Sequence, residues 1–165
     1  MEILSVLGKW IDKIVNFLIV VFFSLLIFSC VLQVFTRYVL NNALTWTEEL
    51  ARYTFIWANL LGAVLCTKKG SHATVTALSD KFSPKTKRIV QLFIEVVIIL
   101  VAFVMIRYGT KVAYLTRNQT SAAMKMSMGL VNASVPICGF FIFIHSFVHF
   151  LEAAFNMKQH NGGDA

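Results

Sequence analysis

Three groups of side chains could do chemistry in this otherwise apolar sequence. Glu95 interrupts the apolar run Ile89–Ile106, and an ionisable group inside a membrane span is by default a candidate proton or cation site. His145, His149 and Glu152 recur at i, i+4, i+7 on one helix face, and the i,i+4 histidine spacing can bind zinc. Glu48, Glu49 and Arg52 stand just inside the start of a further apolar run, with Arg37 a short turn before them. Charge at a membrane doorway is costly and needs a partner.

Each group also has a plainer explanation. Gln91 lies one turn from Glu95, and Lys87 and Arg88 lie about two turns away. A carboxyl about 10 Å from the interface can therefore be satisfied by neighbours, a partner or water, and Glu95 is read as a structural or interface contact. The two helix histidines lack a further ligand-bearing segment, so interfacial packing is expected of them. His72 and His160 fall in a loop and a tail, whereas bis-histidine haem draws its ligands from separate helices. With no Gly-rich phosphate loop and no nucleophile–base constellation, neither catalysis nor a cofactor or metal is expected.

The elements that must position these residues are membrane helices. The 165 residues are 58% hydrophobic and 14% charged, with 15 Phe, against about 25% charged in soluble domains. The net charge of +7 resides in the connections between apolar runs, where Lys and Arg meet lipid headgroups. That distribution argues against a nucleic-acid partner. Cys30, Cys66 and Cys138 each lie in an apolar run and are expected to pack as reduced small hydrophobes. No cleavable signal is expected, because the first apolar run is too long for one.

Four spans are predicted, at about 14–36, 46–67, 87–108 and 128–152, in a single all-α membrane domain over 1–155 with a polar tail at 156–165. Residues 2–13 have Ile3, Leu7, Trp10 and Ile14 at helical spacing, predicting a short amphipathic helix in the interface before the first span; they could equally be the first turns of that span. Ile14–Phe35 contains 22 residues without an ionisable group, about 33 Å of helix. Ser29, Gln33 and Arg37 form a polar stripe on it that should face protein, leaving Phe22, Phe23 and Phe28 for lipid or packing. The chain then turns at Asn41–Asn42. Loop 68–88 carries six bases against Asp80 alone and is predicted to be cytoplasmic, with a possible short helix at 73–78. Both termini then lie inside, with nine bases inside and six outside of the 15 in the chain. Ser83–Pro84 reads as N-cap and first helical residue, and Pro136 with Gly139 predicts a kink in the last span.

The second span is unusual. Tyr53–Thr67 is only 15 uncharged residues, about 22 Å and too short to cross. Starting near Trp46 restores the length but brings in Glu48, Glu49 and Arg52. On a helical wheel Glu48, Arg52, Phe55, Asn59, Gly62, Ala63 and Cys66 share one face, where Gly62 and Cys66 would admit a close neighbouring helix. Trp46, Tyr53, Trp57, Leu60 and Val64 share the other face, suited to lipid or a large apolar partner. Glu48 and Arg52 can pair at i,i+4, and Arg37 can reach the same layer. A clamp of Arg37, Glu48, Glu49 and Arg52 is therefore expected to pin the first two spans and to set them against a partner.

Phe35, Arg37–Tyr38, Asn41, Leu44, Trp46, Glu48–Glu49, Arg52, Phe55, Trp57 and Leu61–Gly62–Ala63, followed by Lys69–Gly70, His72 and Pro136, resemble the small permease (Q, DctQ-like) subunit of tripartite ATP-independent periplasmic (TRAP) transporters. The likeness is specific in 35–72 and general elsewhere; Thr74–Val75–Thr76 stands where the family often has an acid. The resemblance implies a multi-pass protein of the bacterial inner membrane that braces a large permease (M) subunit, within a system taking up organic acids such as C4-dicarboxylates, keto acids or sialic acids on the sodium gradient. It also implies a periplasmic substrate-binding protein as a transient partner, for which the outward bases Lys111, Arg117 and Lys125 could provide docking. Candidate interface residues are Arg37, Tyr38, Trp46, Glu48, Glu49, Arg52, Asn59, Gly62 and Glu95. The rival readings are a self-sufficient four-span proton-coupled exporter using Glu95, and a haem-bearing membrane anchor of a respiratory enzyme.

Overall fold

A computed structural model describes residues 2–41, 44–68 and 84–161, with side chains described over 13–41, 44–68 and 90–151. The chain folds into α1 (Glu2–Tyr38), α2 (Thr45–Lys68), α3 (Pro84–Leu115), the single turn α4 (Met128–Asn132) and α5 (Ser134–Asn161). Four segments, Lys13–Tyr38, Thr45–Lys68, Val90–Leu115 and Met128–Leu151, are long and apolar enough to cross a membrane. In lipid the backbone must satisfy its own polar groups, and helices do so within each segment.

The helix limits differ from the predicted spans in three places. Residues 2–13 are not a separate interfacial helix, because α1 runs unbroken from Glu2 to Tyr38; no Gly or Pro breaker other than Gly8 stands in its first turns. Helix α3 continues past 108 to Leu115, so Arg107 and Lys111 ride on a helix rather than in a loop. Helix α5 reaches Asn161, so residues 156–161 of the polar tail continue the last helix. The predicted turn holds where it is described: Asn41 has φ 48, a left-handed conformation that Asn tolerates well. Helix α3 starts at Pro84, the first-turn position that suits proline. The short helix expected at 73–78 lies outside the described residues.

The last span is interrupted at Ala133, between α4 and α5. Pro136 has no N–H to give to the Asn132 carbonyl, and its ring crowds that carbonyl. The break therefore falls one turn before the proline. Gly139 has a different role from the kink predicted for it. A Cβ there would lie 3.0 Å from Met105 Cβ and 3.4 Å from the Ala102 carbonyl, so it brings α5 close to α3. Gly109 acts in the same way, with Pro136 Cδ at 2.9 Å from its would-be Cβ.

The spanning helices pack in the order α1, α2, α5, α3: α1 on α2, α2 on α5, and α5 on α3. This is an open row rather than a closed bundle, and its apolar seam runs through Val15, Leu61, Val64, Ile142, Cys138 and Ala102. Phe22 stacks on Trp57 with ring centroids 5.4 Å apart, fastening α1 to α2. An open row leaves two broad faces without a partner among the described residues. Phe17, Phe23, Phe28, Phe93 and Phe103 are all exposed on the helices, as suits surfaces covered by lipid or protein rather than water.

Candidate subunit interface

The two faces of α2 are used in opposite ways. Tyr53, Leu61 and Val64 are buried, and Trp57 and Leu60 pack against the seam. The aromatic–aliphatic face thus receives α1 and α5, the large apolar partner that the wheel allowed. Glu48, Arg52, Phe55, Asn59, Ala63 and Cys66 are exposed. A Cβ added at Gly62 would meet nothing within 4 Å, so no helix among the described residues approaches closely there. Asn59 Nδ2 turns back to donate to the Phe55 carbonyl at 3.1 Å.

The expected four-charge clamp between the first two spans does not form as one layer. Arg52 and Glu48 pair at 3.1 Å on the open face, with both side chains more than 60% exposed. Arg37 and Tyr38 are exposed at the end of α1, Trp46 is exposed at the start of α2, and Arg37 takes no part in that pair. Glu49 points elsewhere because adjacent helical positions diverge by about 100°. Its carboxylate accepts from the Ala123 N–H at 3.1 Å and the Met124 N–H at 3.0 Å. The first two spans are joined by apolar packing and the Phe22–Trp57 stack instead. Of the stripe on α1, Ser29 is buried and donates to the Leu25 carbonyl, Gln33 is half-buried and Arg37 is exposed.

Glu95 is 2% exposed, and among the described residues its Oε2 has no hydrogen-bond partner; the same holds for the fully buried Ser146 Oγ. The Ala102–Gly139 approach fixes the register of α3 against α5. Glu95 lies seven residues before Ala102, and Ser146 seven after Gly139. Two helical turns on the same faces bring both polar groups to one level of the α3/α5 seam. Nothing about Ser146 marked it from composition; its spacing from Gly139 becomes informative only once that glycine is known to touch α3. His149 Nε2 lies 2.9 Å from the Lys68 carbonyl, joining α5 to the end of α2. Among the described residues no group of three or more His, Cys, Asp or Glu is placed to hold a metal ion.

Lys111, Arg117 and Lys125 are exposed, and the Arg117 guanidinium sits 4.2 Å over the Tyr114 ring. Sequence reasoning missed the tethers that hold their connection: Glu49, Tyr53 Oη with Met128 Sδ at 3.5 Å, and Asn132 Nδ2 with Thr116 Oγ1 at 2.9 Å. These join residues 16 to 75 positions apart, beyond any helical period.

The described residues thus present an open helical row and an exposed polar face on a helix long enough to cross a membrane. Residues 26–156 match the family described as tripartite ATP-independent periplasmic transporters, DctQ component. The chain belongs to that family. It is similar to the sialic acid TRAP transporter small permease protein SiaQ of Vibrio cholerae, 29% identical over 94% of this chain and 88% of that protein. A putative TRAP transporter small permease protein of Haemophilus influenzae is 27% identical over 82% of this chain and 84% of its own length. The sialic acid TRAP transporter permease protein SiaT of H. influenzae matches at 24% identity over 62% of this chain, a stretch that makes up 17% of that longer protein. The protein is thus a TRAP small permease subunit with four candidate membrane spans.

Proposed function

We propose that this subunit braces a large permease in the bacterial inner membrane, within a sodium-gradient-driven system for the uptake of organic acids, with sialic acid as the leading substrate. The observation that carries this reading is the open face of α2. A paired Glu48–Arg52, Asn59 and an unobstructed Gly62 lie on a membrane helix whose other face is already packed. Polar groups facing lipid are costly, and small residues admit a close helix, so the face fits a protein partner. SiaT supports the pairing, because a segment like this chain occurs there within a longer permease polypeptide. The two sialic acid relatives motivate the substrate. Both termini are placed in the cytoplasm, with the Leu115–Met128 connection on the periplasmic side, where its bases dock the substrate-binding protein.

The test is co-expression with a TRAP large permease and a solute-binding protein of the same system, followed by reconstitution and uptake of labelled sialic acid. Uptake should need all three proteins and an inward sodium gradient. Full uptake by the large permease and binding protein without this chain would refute the bracing role. Uptake of a dicarboxylate or keto acid but not sialic acid would overturn only the substrate. The rival exporter reading has one observation in its favour, the unpartnered buried oxygen of Glu95. Proton-driven efflux by the purified chain alone in vesicles would decide for it.

A further inference from the structure

The connection from α3 to α4 is closed on itself by hydrogen bonds. Ser127 Oγ donates to the Arg117 carbonyl at 2.6 Å, and the Ser121 hydroxyl accepts from the Met126 N–H at 3.2 Å. Met128 N donates to the Gln119 carbonyl at 2.8 Å, Ser121 N donates to the Met126 carbonyl at 2.9 Å, and Thr120 bridges Ser127. The far edge of this loop is held from a different element. Glu49 of α2 grips the successive Ala123 and Met124 amides with its two carboxylate oxygens. Charge-assisted bonds of this kind are the strong ones. The next residue, Lys125, is in the left-handed region at φ 53 and exposed. Lys125 therefore lies between two fixed points, the Met124 amide held by Glu49 and the Ser121–Met126 pair.

The acids of α2 beside this loop are Glu49, bound to it, and Glu48, paired with Arg52. Between Glu95 and Glu152 the sequence has no acid and four bases, Arg107, Lys111, Arg117 and Lys125, all exposed. Stacking on Tyr114 further restricts Arg117. We infer that Glu49 is the positioning residue of a pre-set basic platform that reads an acidic protein surface. This rests on the proposed outward placement of the loop and its docking of the substrate-binding protein. Anionic lipid would be attracted to the same charges, but headgroups rearrange around any cation. Holding a loop in advance gains affinity only against a partner of fixed shape, and the platform is held at both its base and its far edge.

The sign of one substitution separates positioning from charge. Glu49→Ala removes a negative charge beside the platform, so electrostatics alone predicts tighter docking to an acidic surface. Positioning predicts the reverse: if the loop keeps its docking shape about a tenth of the time, apparent affinity falls about tenfold. The bases would be unchanged in number, so the salt dependence should keep its slope. Lys125→Glu should weaken docking and flatten the salt dependence.

The experiment uses the full-length chain with its large permease in nanodiscs, and the solute-binding protein of the same transport system as probe, at several salt concentrations. Amide exchange at Ala123 and Met124 is read in parallel and should quicken in Glu49→Ala. Ser127→Ala loosens the same loop from its base without touching α2 and should weaken docking in the same direction, which covers the case where Glu49→Ala fails to assemble. Faster exchange with docking unchanged or tightened overturns the inference while leaving the docking reading intact. Normal docking by a Lys111→Glu/Arg117→Glu/Lys125→Glu variant refutes the docking reading and the inference with it. If that variant loses only retained phosphatidylglycerol and not docking, the loop reads headgroups and the inference falls.

Discussion

Gly62 allows the proposed interface to be tested by a change of sign. Its would-be Cβ has nothing within 4 Å, so Gly62→Ala carries no steric cost in the chain alone. Glycine inside a helix is about 0.8–1 kcal/mol worse than alanine, and the purified subunit should therefore melt slightly higher as the alanine variant. Gly62→Leu should fold equally well, with its side chain on an open surface. In the complex the same leucine would sit where a partner helix needs close approach. Overpacking of that kind costs roughly 1–3 kcal/mol, a loss of about 5- to 150-fold in association. The assays are thermal unfolding of the purified chain in detergent and co-elution with the large permease, with uptake as the third measurement. Gly139→Ala is the internal control: its Cβ would press on Met105 Cβ at 3.0 Å, so it should lower the melting temperature of the chain by itself. If Gly62→Leu co-elutes at wild-type yield and supports wild-type uptake, the open face of α2 is not the contact with the large permease.

Other substitutions test separate parts of the structure. Gly129→Ala would place a Cβ 2.7 Å from Arg117 Cα and 2.9 Å from the Ala113 carbonyl; backbone must move, and a loss of roughly 1–3 kcal/mol should appear in detergent unfolding, whereas an unchanged midpoint would mean that α4 reseats freely. Glu48→Ala and Arg52→Ala break a pair that is mostly exposed in the chain, so purified-chain stability should barely change while assembly with the large permease weakens; normal assembly would remove the pair from the interface. Glu95→Leu and Ser146→Ala delete buried groups that lack partners, and since such groups carry an uncompensated desolvation cost, each should hold or raise the melting temperature of the purified chain. A marked fall for Glu95→Leu would show that the carboxyl is satisfied in solution, by water or by a partner.

Much of this protein follows from its sequence because lipid leaves few choices. Apolar runs long enough to cross must become helices, so four spans, a turn at Asn41, the start of α3 at Pro84 and two unlike faces on α2 could all be read from spacing. The family resemblance rested on the same region, 35–72, and the match over residues 26–156 carries it across most of the chain. Tertiary structure decided which face of α2 turns inward. Periodicity groups residues on a face but does not say what covers it, and aromatic–aliphatic packing against α1 and α5 took Trp57 and Val64 inside. That choice left the charged pair outside and sent Glu49 to a loop 74 residues away. The level shared by Glu95 and Ser146 was equally hidden, since the register of two helices is set by where Gly139 lets them touch. Hydrophobic period is a local property of the chain, whereas partner and register depend on contacts between segments far apart in sequence.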